Sequence, residues 1–203
     1  MHHSIRFFDD QFQRQVRQND FALNPFEALA LRFLAGRVLD LGCGLGNLSL
    51  EAARLGCSVL SIDGSPTAIG RIRQAASDED LPIRVEVADL RTYAIREDFD
   101  VIVCIGLLMF MAKDDALRMI GEIQAHVEAG GLAIINVLIE GTTYLEMFGT
   151  DPYYLFGHSE LQDRFAGWDL IESMYHNFEA PGATTKSFAT IIARKPAEST
   201  SRL

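Results

Sequence analysis

Two kinds of apolar pattern alternate along the chain. Short continuous apolar runs, as in 99–105, predict strands that are buried on both faces of a parallel sheet. Longer segments such as 113–126 carry apolar residues at helical spacing, with Leu117, Ile120 and Ile123 on one face. This succession of strand and helix predicts an α/β protein with a doubly wound sheet and helices on both of its faces.

The end of the chain breaks the alternation. Two strand-like runs, 168–175 and 187–194, follow one another with no helix between them. We expect them to pair as an antiparallel hairpin at the sheet edge, which completes a mostly parallel seven-stranded sheet. The other strands are predicted at 37–41, 58–62, 83–87, 99–105 and 132–139, and helices at 5–18, 25–35, 48–55, 66–77, 113–126 and 158–165.

The stretch 38–47 carries the clearest chemical signal. A predicted strand ends near Asp40, a glycine-rich turn follows, and a helix begins directly afterwards. Glycine allows positive φ and close approach of a ligand to the backbone, and a helix N-terminus offers unpaired N–H groups. The dinucleotide fingerprint would have a third glycine where Asn47 stands, which argues against an NAD-dependent dehydrogenase. The glycines of the turn are Gly42, Gly44 and Gly46.

The carboxylate of Asp40 helps to select the ligand. It would repel a pyrophosphate and attract a ligand with cationic groups. S-adenosylmethionine carries both an ammonium and a sulfonium. At this turn the chain resembles the class I S-adenosylmethionine-dependent methyltransferases, whose first motif is similar to residues 38–46.

Further ligand contacts are expected where the other strands end. Asp63 ends the second strand, 21 residues after Gly42, which is the spacing of an acidic residue that binds ribose hydroxyls. The methyltransferase resemblance implies that Asp89 accepts a hydrogen bond from the adenine amine, and that the segment 104–106 passes the methionine half. The full set of candidate cofactor-binding residues is Asp40, Gly42, Cys43, Gly44, Gly46, Asn47, Asp63, Gly64, Ser65, Asp89, Leu90, Cys104, Ile105 and Gly106.

Over about residues 37–195 the chain is similar to the tellurite-resistance (TehB-like) methyltransferases. The resemblance lies in the segments 107–111, 157–161, 165–168 and 187–195. The aromatic segment 151–156 resembles the part of that group which covers the acceptor pocket. The candidate acceptor-binding residues are Phe8, Phe12, Met109, Phe110, Tyr144, Tyr153, Tyr154 and His158.

The sequence does not identify a catalytic residue. Methyl transfer from a sulfonium needs alignment and exclusion of water, and a base only if the acceptor arrives protonated. We interpret His158 as a residue at the start of a helix and His176 as a surface residue of a strand. No Cys/His grouping has metal-ligand spacing, so no metal is expected.

The composition and charge of the chain indicate its cellular compartment and the kinds of partner it can bind. The chain has 203 residues and a formal net charge of −10, with three lysines against fifteen arginines. Polyanions would be repelled over most of such a surface, so nucleic acid is not expected as a partner. No apolar run is long enough to cross a bilayer, and the three cysteines (Cys43, Cys57 and Cys104) suggest reduced thiols in a cytoplasmic protein.

We expect one methyltransferase domain over 1–203. It would consist of an N-terminal helical cover (1–36), a cofactor-binding core (37–139) and an acceptor-side region with the hairpin (140–203). The function predicted is methyl transfer to a small molecule, such as a chalcogen oxyanion or another soft nucleophile, by a monomer or homodimer. S-adenosylhomocysteine would be the product. The alternatives are a natural-product O- or N-methyltransferase and a module that binds S-adenosylmethionine without turnover.

Overall fold

The computed structural model of the protein describes residues 3–18 and 21–197, and the termini of the expected 1–203 domain lie outside these ranges. The helices are α1 (His3–Gln18), α2 (Pro25–Leu31), α3 (Asn47–Arg54), α4 (Pro66–Asp78), α5 (Lys113–His126) and α6 (Glu160–Arg164). The strands are β1 (Arg37–Leu41), β2 (Ser58–Asp63), β3 (Ile83–Val87), β4 (Phe99–Ile105), β5 (Val127–Leu138), β6 (Asp169–Ala180) and β7 (Thr184–Arg194).

The strands form one seven-stranded sheet in the order β3-β2-β1-β4-β5-β7-β6. The first five strands in that order pair in parallel, whereas β7 is antiparallel to both β5 and β6. The predicted fold class is therefore confirmed. Because the strand order reverses between β1 and β4, the carboxyl ends of these two strands border a crevice in which such sheets bind ligands.

The interior strands are buried because helices cover both faces of the sheet. In β4 every residue from Val101 to Cys104 is buried, and α3 buries Leu48, Ala52 and Ala53 against the sheet. Two separate apolar clusters result, one on each side of the sheet. This burial explains why the central strands appear in the sequence as continuous apolar runs.

The bounds of β5, α6 and α2 differ from those predicted, and local chemistry explains the start of β5. β5 begins at Val127 because the pair Gly130–Gly131 belongs to the strand: the Gly130 N–H donates to the Lys195 carbonyl at 3.0 Å, and the Lys195 N–H donates to Gly131 at 2.9 Å. The register between β4 and β5 shifts here, as at a bulge. The expected helix at 158–165 spans only Glu160–Arg164, and α2 ends at Leu31.

The hairpin is longer than predicted. β6 continues to Ala180 and pairs there with Thr184, so the connection is only Pro181–Ala183, with Gly182 at φ 73°. The sequence between 176 and 186 is mostly polar and hides this extension. Tight turn chemistry rather than apolar alternation sets the register in this part of the sheet.

Candidate active site

A cavity of about 420 Å³ lies at the carboxyl ends of β1, β2, β3 and β4 and is covered by α1. Most of the predicted cofactor-binding residues line it, although they come from four separate strand ends. Those that line it are Asp40, Gly42, Cys43, Gly44, Asn47, Asp63, Gly64, Asp89, Leu90, Ile105 and Gly106.

The glycine-rich turn holds its shape through backbone geometry. Gly42, Gly44 and Gly46 all have positive φ, at 72°, 51° and 73°. The N–H groups of Gly42 and Cys43 donate to the Ile62 carbonyl at 2.8 and 3.1 Å, which ties the turn to β2. Gly46 does not line the cavity. It begins α3, and a side chain there would clash with Ile72.

Asp63 connects the turn to the end of β2. Its carboxylate accepts hydrogen bonds from the N–H of Gly44 at 2.9 Å and of Ser65 at 2.8 Å. Burial raises the pKa of Asp63, and the backbone hydrogen bonds oppose that rise. Ser65 itself caps α4: its Oγ accepts from the Ala68 N–H at 3.1 Å and donates to the Asp9 carboxylate. Ser65 is buried and lies outside the lining of the cavity.

Asp40 is only 5% exposed, although it lines the cavity. It accepts a hydrogen bond from the Ser49 hydroxyl at 2.6 Å, and Ser49 accepts one from Ser61 at 2.8 Å. Burial raises the pKa of Asp40 to about 7, with smaller contributions from the negative charges of Glu27 and Asp63. A cationic group bound beside Asp40 would therefore stabilise its ionised form.

Asp89 is paired with a residue that the sequence interpretation did not include. The Arg91 guanidinium donates to both carboxylate oxygens of Asp89, through Nε at 2.8 Å and Nη2 at 2.6 Å. Both residues line the cavity, and the pair raises the pKa of Arg91. The sequence did contain a sign of this contact, because an acidic and a basic residue stand two positions apart directly after a predicted strand.

Glu27 and Asn24 are two further lining residues that were missed. They form a capping box at the start of α2, in which the Asn24 side chain accepts from the Glu27 N–H at 3.0 Å and Glu27 accepts from the Asn24 N–H at 2.8 Å. Burial raises the pKa of Glu27. The N-x-x-E spacing predicts the cap but not its proximity to the cavity. The remaining missed lining residues are Gln11, Gln15, Ala22, Leu45, Leu48, Ala88, Leu107 and Met111.

The two cysteines predicted near the ligand are buried and unreactive. Cys104 lies within β4 with no exposed surface and does not line the cavity, whereas Cys43 does. Burial raises the thiol pKa of both residues, so neither is a thiolate nucleophile at neutral pH. Both act as small packing residues.

Three of the predicted acceptor residues come together over the cavity. Phe8 and Phe12 project from α1, and Phe110 follows β4 in a short 3₁₀ turn. The ring of Phe8 meets Phe110 edge-on, with centroids 4.9 Å apart, and lies 6.0 Å from the Phe12 ring. We call Phe8, Phe12 and Phe110 the aromatic roof.

The other predicted acceptor residues do not line this cavity. Met109 is buried, and its carbonyl accepts from the Tyr154 N–H at 3.0 Å. Tyr154 in turn donates to Glu160 at 2.5 Å, and burial raises its pKa to about 12. The remaining three are engaged with neighbours outside the cavity: Tyr144 beneath the Lys186 ammonium, Tyr153 stacked on Phe148 and His158 stacked on Tyr175.

The described residues that line the cavity include ligand-binding groups and no recognisable catalytic dyad. Neither His158 nor His176 is among them: His158 lies just before α6, and His176 contacts the Phe26 ring from the middle of β6. Among the described residues, no group of three or more histidine, cysteine, aspartate or glutamate side chains is arranged to hold a metal ion. Within the same ranges no helix is long and apolar enough to cross a membrane.

Known methyltransferases are similar to this chain in sequence and in fold. Residues 38–131 match a family model described as a methyltransferase domain. The chain is 29% identical over 166 residues to the probable S-adenosyl-L-methionine-dependent methyltransferase TehB of Haemophilus influenzae. These aligned residues cover 78% of this chain and 57% of that protein. A protein named Hemagglutinin 1 from Eikenella corrodens is 29% identical over 167 residues, or 79% of this chain and 55% of the relative.

The crystal structure of TehB from Haemophilus influenzae has the same fold, with a TM-score of 0.76 and 26% identity over 89% of this chain and 65% of that one. In sequence and fold the chain is therefore similar to the class I S-adenosylmethionine-dependent methyltransferases, and TehB is among its relatives. These similarities support S-adenosylmethionine as its cofactor. It spans little more than half the length of the two curated relatives.

Proposed function

We propose that this chain transfers a methyl group from S-adenosylmethionine to a small-molecule acceptor that carries a soft nucleophilic atom. The observation that carries the proposal is the convergence of Asp40, Asp63 and Asp89 on one cavity beneath the aromatic roof. The resemblance of the sequence to the tellurite-resistance methyltransferases makes a chalcogen oxyanion one acceptor to be tested. When bound, S-adenosylmethionine supplies a methyl group already activated on a sulfonium.

The residues present fit this cofactor. The half-ionised, buried Asp40 favours a cationic group next to the turn. Asp63 would hold the ribose hydroxyls, since its carboxylate has acceptor capacity beyond its two backbone partners. Asp89 and the adjoining Leu90 backbone would bind the adenine edge, and Gly106, at φ 69°, would allow the backbone to approach closely.

The aromatic roof has a different task, because it excludes water and positions the acceptor. The apolar rings of the aromatic roof, above the carboxylates of the cavity, lower the local dielectric constant and restrict the acceptor to few orientations. No residue is assigned as a general base, since an acceptor with a free lone pair requires none.

We further propose that the protein works in the cytoplasm as a monomer or homodimer, with neither nucleic acid nor membrane as a partner.

An acceptor screen tests the proposed function. The purified protein is incubated with S-adenosylmethionine and separate panels of thiols, amines, phenols, tellurite and selenite, and S-adenosylhomocysteine is quantified by mass spectrometry. We expect S-adenosylhomocysteine to accumulate with one class of acceptor and the activity to fall at least tenfold in Asp63→Ala. Binding of S-adenosylmethionine without turnover on any panel would instead support a non-catalytic binding module.

A further inference from the structure

The charges around the cavity restrict the acceptor further than the methyltransferase class does. Four carboxylates line the cavity, from Glu27, Asp40, Asp63 and Asp89. Among the described lining residues, Arg91 is the one lysine, arginine or histidine, and its Nε and Nη2 groups both donate to Asp89. An anion that enters would thus compete with the Asp89 carboxylate for the one side-chain cation among these residues.

A second cavity of about 290 Å³ adjoins the first and extends this charge pattern. It shares Asp89, Arg91 and Phe110 with the main cavity and adds the carboxylates of Asp115 and Asp151. The negative charges of Asp151 and Asp115 also raise the pKa of Arg91, so their field reaches the boundary of the two cavities. Approach from this side is no more favourable for an anion than approach from the other.

The walls nearest α1 are apolar and amide-bearing. Phe8, Gln11, Phe12 and Gln15 project from one face of the helix at spacings of three and four residues, and all four line the cavity. Phenyl faces carry partial negative charge and attract cations, whereas they give nothing to an anion. Two neutral amides can orient a hydroxyl, thiol or amine without adding charge.

These contacts favour neutral and cationic acceptors over anionic ones. An anion buried among carboxylates and phenyl faces loses its hydration and gains no opposite charge. A neutral molecule with an apolar body loses little hydration and packs against the aromatic roof. A protonated amine gains from the carboxylates and the rings together.

We infer that the acceptor is a neutral or cationic molecule with an apolar body. Oxyanions such as tellurite and selenite are disfavoured, because beside the cofactor they would meet the aromatic roof, the neutral amides of Gln11 and Gln15, and the carboxylates of the adjoining cavity. This inference rests on the proposed function, because it concerns the acceptor half of the same cavity. Specificity then depends on the uncharged side chains of α1 and on the Asp89–Arg91 pair rather than on the loop 140–157.

Binding of matched small probes to the complex with S-adenosylhomocysteine tests the inference. Benzylamine, benzyl alcohol and phenylacetate share a phenyl ring and differ in charge, and selenite represents the oxyanions. Dissociation constants are measured by ligand-observed NMR titration. We expect benzylamine and benzyl alcohol to bind at least tenfold more tightly than phenylacetate, and selenite to show no saturable binding.

Two variants that each add one positive charge, inside and outside the cavity lining, supply the control. Gln15→Lys places an ammonium in the cavity lining, whereas Val16→Lys places one on the 39% exposed neighbouring position. We expect Gln15→Lys to tighten phenylacetate binding at least fivefold and Val16→Lys to leave it within twofold. Equal gains in the two variants would show that bulk charge, not the cavity, governs binding, and would overturn the inference.

The remaining outcomes are also decisive. Wild-type protein that binds phenylacetate or selenite as tightly as benzyl alcohol, or that binds none of the aromatic probes, contradicts the inference while the cofactor assignment stands. A folded protein that fails to bind S-adenosylhomocysteine in the preliminary calorimetric titration contradicts the proposed function itself. The two failures are therefore distinguishable.

Discussion

The carboxylate of Asp63 accepts a hydrogen bond from the backbone N–H of Gly44 at 2.9 Å. This contact joins the end of β2 to the glycine-rich turn after β1, so the residue expected to hold the ribose also fixes the loop that borders the ligand. We expect Asp63→Ala to weaken S-adenosylhomocysteine binding by at least tenfold, because both tasks are lost. Isothermal titration calorimetry measures the change.

Two variants make the Asp63 prediction specific. Asp63→Asn keeps an acceptor oxygen and should lose less affinity than Asp63→Ala. Asp169→Ala removes an exposed carboxylate from β6 and should bind as the wild type does. Equal affinity in Asp63→Ala and Asp169→Ala would refute the assigned role.

The third glycine of the turn should matter for stability. Gly46 has φ 73°, and an added Cβ would clash with the Ile72 side chain. We expect Gly46→Ala to lower the free energy of unfolding by roughly 2–4 kcal/mol, from the combined cost of left-handed backbone and overpacking. Urea denaturation measures it.

Gly70→Ala is the matched control for that change. Gly70 lies within α4, and an added Cβ meets no atom within 4 Å. Alanine should therefore raise the free energy of unfolding by about 0.5–1 kcal/mol, as expected for a better helix former. The account of Gly46 fails if both substitutions change stability in the same direction by similar amounts.

Ligand affinity should depend on pH through Asp40. Burial raises its pKa to about 7, so the free protein is mostly protonated there at pH 6 and mostly ionised at pH 8. Since the ionised form attracts the ligand ammonium, affinity for S-adenosylhomocysteine should rise about tenfold between these pH values. Calorimetric titrations across the range measure this rise. Asp40→Asn should bind more weakly and lose the dependence, and an unchanged pH profile in that variant would exclude Asp40 as its source.

Helix α1 should be held over the cavity by Asp9. Its carboxylate accepts from the Ser65 hydroxyl and from the Thr67 N–H at the start of α4. We expect Asp9→Ala to speed amide hydrogen exchange in α1 by about tenfold, because one charge-assisted contact is lost. Hydrogen-exchange mass spectrometry measures it, with Asp10→Ala, an exposed neighbour, as the control. Similar exchange in both variants would argue against Asp9 as the anchor of this helix.

The sequence predicted the parts of the fold in which burial and local chemistry agree. The buried strands β1 and β4 have the bounds that were expected, as do the partly exposed strand β3 and the helix α5. The Ser65–Pro66 cap correctly marked the start of α4. The hairpin extension and the start of β5 were missed because backbone pairing through Gly130 and the turn at Gly182 leave no apolar pattern.

Apart from Phe8 and Phe12 in α1, most of the lining residues that were predicted lie at or shortly after the end of a strand. Asp40, Asp63 and Asp89 meet at one edge because parallel strands place their carboxyl ends together. Glu27 and Arg91 reach the cavity through the packing of α2 and the course of the chain after β3, which no spacing rule encodes. The loop residues Tyr153 and His158 were expected at the acceptor, yet their aromatic contacts lie outside the cavity.

Calorimetric titration of the wild-type protein with S-adenosylmethionine, with NAD as the comparison, tests the central claim most directly. We expect saturable binding of S-adenosylmethionine with a dissociation constant in the micromolar range, where many enzyme KM values lie, and no binding of NAD. A folded protein that binds NAD, or that binds no adenosyl ligand, would contradict the assignment of the cavity bounded by Asp40, Gly44 and Asp63.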